Sequence, residues 1–299
     1  MSGGIESMET GYVEVVGGKI FYITFQNENS QKDPIIVLHG GAGKLDHSYL
    51  LPQMCNLVNN TTVTFYDQRG TGKSSGFNLN SAAINIDDYI KDLEALRNEF
   101  GYKKFVLIGH SWGGLLAMRY ATLYQEYISK LVLIDAIPAS ADGFKVFSFE
   151  FAKKQVLIQD ELNKIKASDE FNRGDTNAIR DYYHKSYSIY FYDPKLARLL
   201  SVDMSMQSYE NGTIIRNILG ATYLKTYDIT TELKKLKLPT LIVHGDHDIV
   251  PSWTALQTHD LIKNSKIVII NNCGHFPYIE EPKRFFAIIE QFLNNVESH

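Results

Sequence analysis

A chain of 299 residues, 44% hydrophobic and 21% charged, is long enough for one sizeable core plus an insertion, and this composition excludes a disordered chain. Its net charge of -4 and pI near 6.1 are the wrong balance for gripping a phosphate backbone, so no nucleic-acid partner is expected. The opening MSGGIESMET has neither a basic nor an apolar segment, no run approaches the about 18 apolar residues of a membrane span, and Cys55 and Cys273 are the only cysteines. A cytoplasmic protein with free thiols and no membrane contact is expected.

In chain order, GYVEVVGGKIFYITF alternates in period 2 around Gly17 and Gly18, which predicts an antiparallel hairpin on a sheet edge. Short apolar runs follow: IIVL at 35–38, VTFY at 63–66, FVLIG at 105–109, LVLID at 131–135, LIVHG at 241–245 and IVII at 267–270. Runs without polar alternation suit strands buried on both faces, as in a parallel sheet. Between them, Tyr89, Leu93, Leu96 and Phe100 keep a helical spacing that stops at Gly101. Phe285, Ile288, Ile289, Phe292 and Val296 form a second stripe after Pro282.

The alternation breaks between Pro138 and Asp228, where the pattern is helical and aromatic-rich. The expected organisation is therefore an α/β core over 1–137 and 229–299 with a helical cap over 138–228 inserted into it. Its aromatics, among them Phe144, Phe147, Phe149, Tyr182, Tyr183, Tyr187, Tyr190, Phe191 and Tyr192, either line a pocket or hold the cap together.

Two stretches satisfy Gly-x-Ser-x-Gly, one around Ser74 in GTGKSSG and one around Ser111 in GHSWGG. GTGKSSG also ends like a P-loop, but Asp67 stands where that motif needs its first glycine, and no helix follows directly to aim its amides at an anion. GHSWGG follows the apolar FVLI and opens the helical LLAMRYATLY, so Ser111 is expected on a sharp strand-to-helix turn. A serine hydroxyl needs a base to take its proton and an acid to fix that base's tautomer. Downstream, GDHD follows one strand run and NNCGHF another, which makes Asp248 and His275 the expected partners. Asp246 and Asp135 are the alternative acids. Backbone donors for a developing oxyanion are expected at Trp112, after the serine, and at Gly41 in HGGAG.

Taken together, HGGAG, YDQRGTGKSS, GHSWGG, GDHD and CGHFPYIEEP resemble the α/β-hydrolase superfamily, and within it the prolyl aminopeptidase (proline iminopeptidase) group. The resemblance implies the α/β-hydrolase fold: a mostly parallel central sheet flanked by helices, with an inserted helical cap. It implies Ser111, His275 and Asp248 as nucleophile, base and orienter, Gly41 and Trp112 as oxyanion donors, and no metal or organic cofactor. By the same resemblance GTGKSSG is a structural loop, shaped by Asp67 and Arg69. The expected activity is removal of N-terminal proline or a small apolar residue through an acyl-enzyme. The alternatives are a carboxylesterase or lactonase, and a non-catalytic receptor on the same fold. The chain departs from the family at Ala42, where proline is usual, and lacks the cap stretch whose carboxylates hold the substrate's free amine. Glu210 in SYENG is the one candidate for that carboxylate.

Overall fold

A computed structural model describes residues 7–295, so Val296 lies outside the described residues, as do residues 1–6. Eight strands form one sheet: β1 (Ser7–Val15), β2 (Gly18–Gln26), β3 (Ile35–Leu38), β4 (Val63–Tyr66), β5 (Phe105–His110), β6 (Ile128–Ile134), β7 (Thr240–Gly245) and β8 (Ser265–Ile270). Their spatial order is β1-β2-β4-β3-β5-β6-β7-β8. The hairpin β1–β2 attaches antiparallel to β4, and from β4 through β3 to β8 every pairing is parallel. The hairpin turns at Gly17, whose φ of 86° is open to glycine at no steric cost.

Every residue of β3, β4, β5 and β7 is buried, as continuous apolar strands covered by helices on both faces should be. IVII differs from expectation: it belongs to β8, which is the sheet's edge and is mostly half-buried, because only one neighbour strand and fewer helices cover it. The helix Ile86–Glu99 starts at Asn85, whose side chain accepts from the Asp88 amide, and ends before Gly101 at φ 64°. It buries Tyr89, Leu93 and Leu96 as the stripe predicts. The helix Pro282–Asn294 likewise buries Phe285, Ile289 and Phe292.

Between β6 and β7 the described chain is helical, with its longest helices at Ala141–Val156, Thr176–Tyr187 and Met206–Ala221. Ser140, Asp175 and Ser205 cap their first turns. The two ends of this segment are tied together: the Ala141 amide donates to Tyr227 O at 2.7 Å and the Ile229 amide to Ala139 O at 3.0 Å. Leaving and rejoining the sheet at one point lets the segment lie over the carboxyl ends of the strands without disturbing the sheet's order. No helix among the described residues is long and apolar enough to cross a membrane.

Candidate active site

Side chains that carry chemistry gather at the carboxyl ends of the parallel strands, the edge where an open α/β sheet opens its crevice. β5 runs straight into the helix Trp112–Tyr124 with Ser111 between them at φ 57° and ψ -119°, a conformation disfavoured for any residue with a Cβ. The turn is tight because of its glycines: a Cβ on Gly109 would strike the Gly113 carbonyl, and one on Gly113 the carbonyls of Leu38 and His39. Ala42, Asp135 and Asn272 also have positive φ, at 45°, 43° and 55°, so non-glycine residues with left-handed backbone follow β3, β5, β6 and β8. Such strain persists only where surrounding structure holds it, and it concentrates here at one edge of the sheet.

His275 stands on the loop after β8. Its Nδ1 lies 2.9 Å from both carboxylate oxygens of Asp248, which follows β7. Of the three carboxylates weighed from sequence, this is the one in contact with His275. Asp246 instead accepts from the Cys273 amide at 3.2 Å and lies 2.7 Å from His247, fixing its own turn. Asp135 accepts from the Gly245 amide at 2.8 Å. Burial pushes the Asp248 carboxyl up, but the charge and hydrogen bond of His275, with His244 behind, outweigh it and hold it below the usual range. Burial and then the Asp248 charge push Asp135 well above that range. The two adjacent carboxyls are thus pushed in opposite directions, Asp248 down by His275 and Asp135 up by burial and the Asp248 charge.

A cavity of about 350 Å³ brings Ser111, His275, Gly41 and Trp112 to one space. Phe144, Phe147, Phe151, Tyr182, Tyr187 and Tyr190 close it from the helical segment, so those aromatics line a pocket. Phe191 instead stacks on Phe276 with ring centres 4.7 Å apart, while Phe149 and Tyr192 are exposed. Trp112 is the first residue of its helix, where backbone N–H groups have no intrahelical partner. Glu210 is not brought to this site: it sits on the exposed side of the helix Met206–Ala221, and the described residues lining the cavity include no carboxylate. The charged side chains that do line it are Lys44 and Arg216.

Two supporting networks escaped sequence reading. The Gly40 amide donates to Tyr49 Oη at 2.7 Å, Tyr49 Oη lies 2.6 Å from His110 Nδ1, and His110 Nε2 lies 2.8 Å from His275 O. With Nε2 protonated the directions agree, and the HGGAG loop is connected to the His275 loop by an unbroken chain. In the second, Gln68 donates to His39 O at 2.7 Å and accepts from Trp112 Nε1 at 2.9 Å. Histidine, tyrosine and glutamine beside motifs are common, and spacing gives no sign of partners up to 165 residues away.

GTGKSSG is built into the scaffold. Ser74 is buried, its Oγ accepting from the Phe21 amide at 2.8 Å and donating to Asp67 O at 2.6 Å. Arg69 forks onto Asp92 at 2.8 and 2.7 Å, and the next helix of four or more residues begins only at Ile86. Two groupings, Asp46–His47–Asp67 and Asp135–His244–Asp248, bring ligand-type atoms within 4.8 Å. In the first, Asp67 already accepts from the His47 and Lys73 amides and meets the His47 ring at 2.6 Å. In the second, Asp248 is engaged by His275, and Asp135 already accepts from the Gly245 amide.

The α/β hydrolase fold family matches residues 33–282. The proline iminopeptidase of Saccharolobus solfataricus is 31% identical over 315 residues, spanning 100% of this chain and 96% of that protein. The chain belongs to the proline iminopeptidase group of the α/β hydrolases. The proline iminopeptidase of Thermoplasma volcanium is 30% identical, covering 95% of this chain and 96% of its own length. Among solved structures, VinJ superposes with a TM-score of 0.70 at 24% identity, over 95% of this chain and 98% of VinJ. The overall fold of this α/β hydrolase is therefore shared with these proteins.

Proposed function

We propose that this chain is a serine hydrolase that transfers the acyl group of a small amide or ester to water. The observation that carries the reading is the contact of His275 Nδ1 with Asp248 at 2.9 Å, with His275 and Ser111 lining one cavity. Asp248 fixes the tautomer that leaves Nε2 free to accept a proton. Ser111 Oγ attacks the substrate carbonyl carbon while His275 Nε2 takes the hydroxyl proton. The resulting oxyanion meets the N–H groups of Gly41 and Trp112, each such donor contributing about 3 kcal/mol to the transition state. Collapse breaks the C–N or C–O bond, His275 hands its proton to the leaving group, and an acyl-Ser111 ester remains. Water then attacks that ester with His275 again as base, releasing the acid and restoring the hydroxyl.

Residues 138–228 act in this reading as a cap that supplies the apolar walls and keeps bulk water off the acyl-enzyme. Support comes from the paired ends of the segment and from its aromatics on the cavity. The relatives' names bring proline iminopeptidase action to this chain, with removal of an N-terminal proline or a small apolar residue as the leading reaction. Hydrolysis of small esters or lactones is the second reading, favoured by the lack of a carboxylate among the described lining residues to hold a free amine. The unpaired Cys55 and Cys273 support a reducing, cytoplasmic setting.

The test is labelling with a fluorophosphonate probe, followed by turnover of prolyl-naphthylamide against short 4-nitrophenyl esters, with Ser111→Ala as control. Labelling that depends on Ser111 is expected. Labelling of the Ser111→Ala protein, or none of the wild type, overturns the reading.

A further inference from the structure

We infer that the cavity selects substrates carrying a carboxylate, which Lys44 and Arg216 hold beside the reacting carbonyl. This rests on the serine-hydrolase reading and specifies its substrate. Lys44 lies on the turn that begins at Gly41, closed by its own amide donating to Gly41 O at 3.0 Å. The helix Met206–Ala221 packs directly on that turn: a Cβ on Gly212 would lie 3.1 Å from Lys44 Cα. Arg216 is one helical turn beyond Gly212 and so shares its side of the helix. The close approach that Gly212 allows therefore brings two cations to the lining of the same cavity.

Neither cation has an ion-pair partner among the described residues. Lys44 Nζ lies 5.3 Å from the centre of the Tyr209 ring and the Arg216 guanidinium 5.4 Å from that of Phe151, contacts that orient a cation without neutralising it. Burial, then the charges of Arg216 and Lys166, push the Lys44 ammonium down to about 8. The Arg216 charge also reaches the cavity tyrosines Tyr182, Tyr187 and Tyr190. Lys44 is half-buried and Arg216 exposed; a half-buried ammonium repelled by a second cation and lacking a counter-ion destabilises a site, and a bound anion removes that penalty. A carboxylate fits the fork of an arginine.

The carboxylate can belong to the acyl part or to the leaving part, and matched pairs separate the two. Mono-4-nitrophenyl glutarate against 4-nitrophenyl butyrate tests the acyl side. Prolyl-glycine against prolyl-glycinamide tests the leaving side. At pH 7 at least one pair is expected to favour the carboxylate by about tenfold or more in kcat/KM, the range for a hydrogen bond to a charged group. In Lys44→Met, Arg216→Gln and the double variant, that ratio should fall toward one. Ratios at or below one in both pairs for the wild type, or a ratio unmoved in the single variants, overturn the inference. Binding of 4-phenylbutyrate against 4-phenylbutyramide to the Ser111→Ala protein, measured by calorimetry, decides the matter apart from catalysis. Tighter carboxylate binding by about tenfold supports it even if fluorophosphonate labelling fails, and equal binding overturns it even if labelling succeeds.

Discussion

Asp135 and Asp248 are buried carboxyls that interact across the ends of β6 and β7, and their environments push them in opposite directions, Asp135 up through burial and the Asp248 charge, Asp248 down through His275. An amide mimics a neutral carboxyl and fails to mimic an ionised one. Asp135→Asn keeps an acceptor for the Gly245 amide and is expected to hold kcat within about tenfold of wild type. Asp248→Asn removes the charge that orients His275 and should lower kcat by about 10⁴ with little change in KM. Steady-state kinetics of the two variants on one ester check this; a larger loss in Asp135→Asn would show that the two acids had been assigned the wrong way round, and equal losses that neither is set apart by its charge.

The two Gly-x-Ser-x-Gly serines separate by experiment as well. Ser74→Ala leaves the Phe21 amide without its acceptor in a buried setting, which costs about 1–3 kcal/mol of stability. It should still label with fluorophosphonate when folded, whereas Ser111→Ala should not. Urea unfolding and gel labelling of both proteins provide the readout, and loss of label in folded Ser74→Ala contradicts the assignment.

Tyr49 is the middle link between Gly40 and His110. Tyr49→Phe leaves the Gly40 amide and His110 Nδ1 unpartnered, loosening the loop that carries Gly41 relative to the loop that carries His275. We expect about a tenfold loss in kcat, a smaller change in KM, and a stability loss of about 1–3 kcal/mol. A variant destabilised to this extent with unchanged kcat would show that the link serves folding alone.

His110 is buried, and burial together with the charge of His275 pushes its imidazole down to about 3 from an ordinary 6.5. As pH falls below 6.5 the unfolded chain takes up a proton there and the folded chain does not until about 3. Stability is therefore full above 6.5 and is lost on acidification, at about 1.4 kcal/mol per pH unit once the unfolded histidine is protonated. His39 and His244, lowered by the same burial, act with the same sign. Unfolding midpoints between pH 7 and pH 4 should fall less steeply in His110→Asn by that amount, and an unchanged slope would mean that His110 is not held neutral.

Much of this was written along the chain. Continuous apolar runs announced strands covered on both faces, because a strand that faces no water has no reason to alternate. The placement of GHSWGG between a strand and a helix separated Ser111 from Ser74, since only that frame turns a serine outward at a strand end. The placement of Asp248 and His275 at strand ends was legible from their position after strand runs, because a parallel sheet gathers all such ends on one edge.

Other features depend on distances that no spacing encodes. Which of three acids meets His275 was settled by a 2.9 Å contact between residues on separate loops. The exposure of Glu210 followed from the rotation of one helix, and the pairing of Lys44 with Arg216 from how closely Gly212 lets that helix approach a turn some 170 positions earlier in the chain. Local sequence determined the strands, turns and motif residues because backbone preference and burial pattern act over a few neighbours. The charge that faces a substrate was decided only by the tertiary structure, because it is the sum of side chains that packing brings together from remote segments.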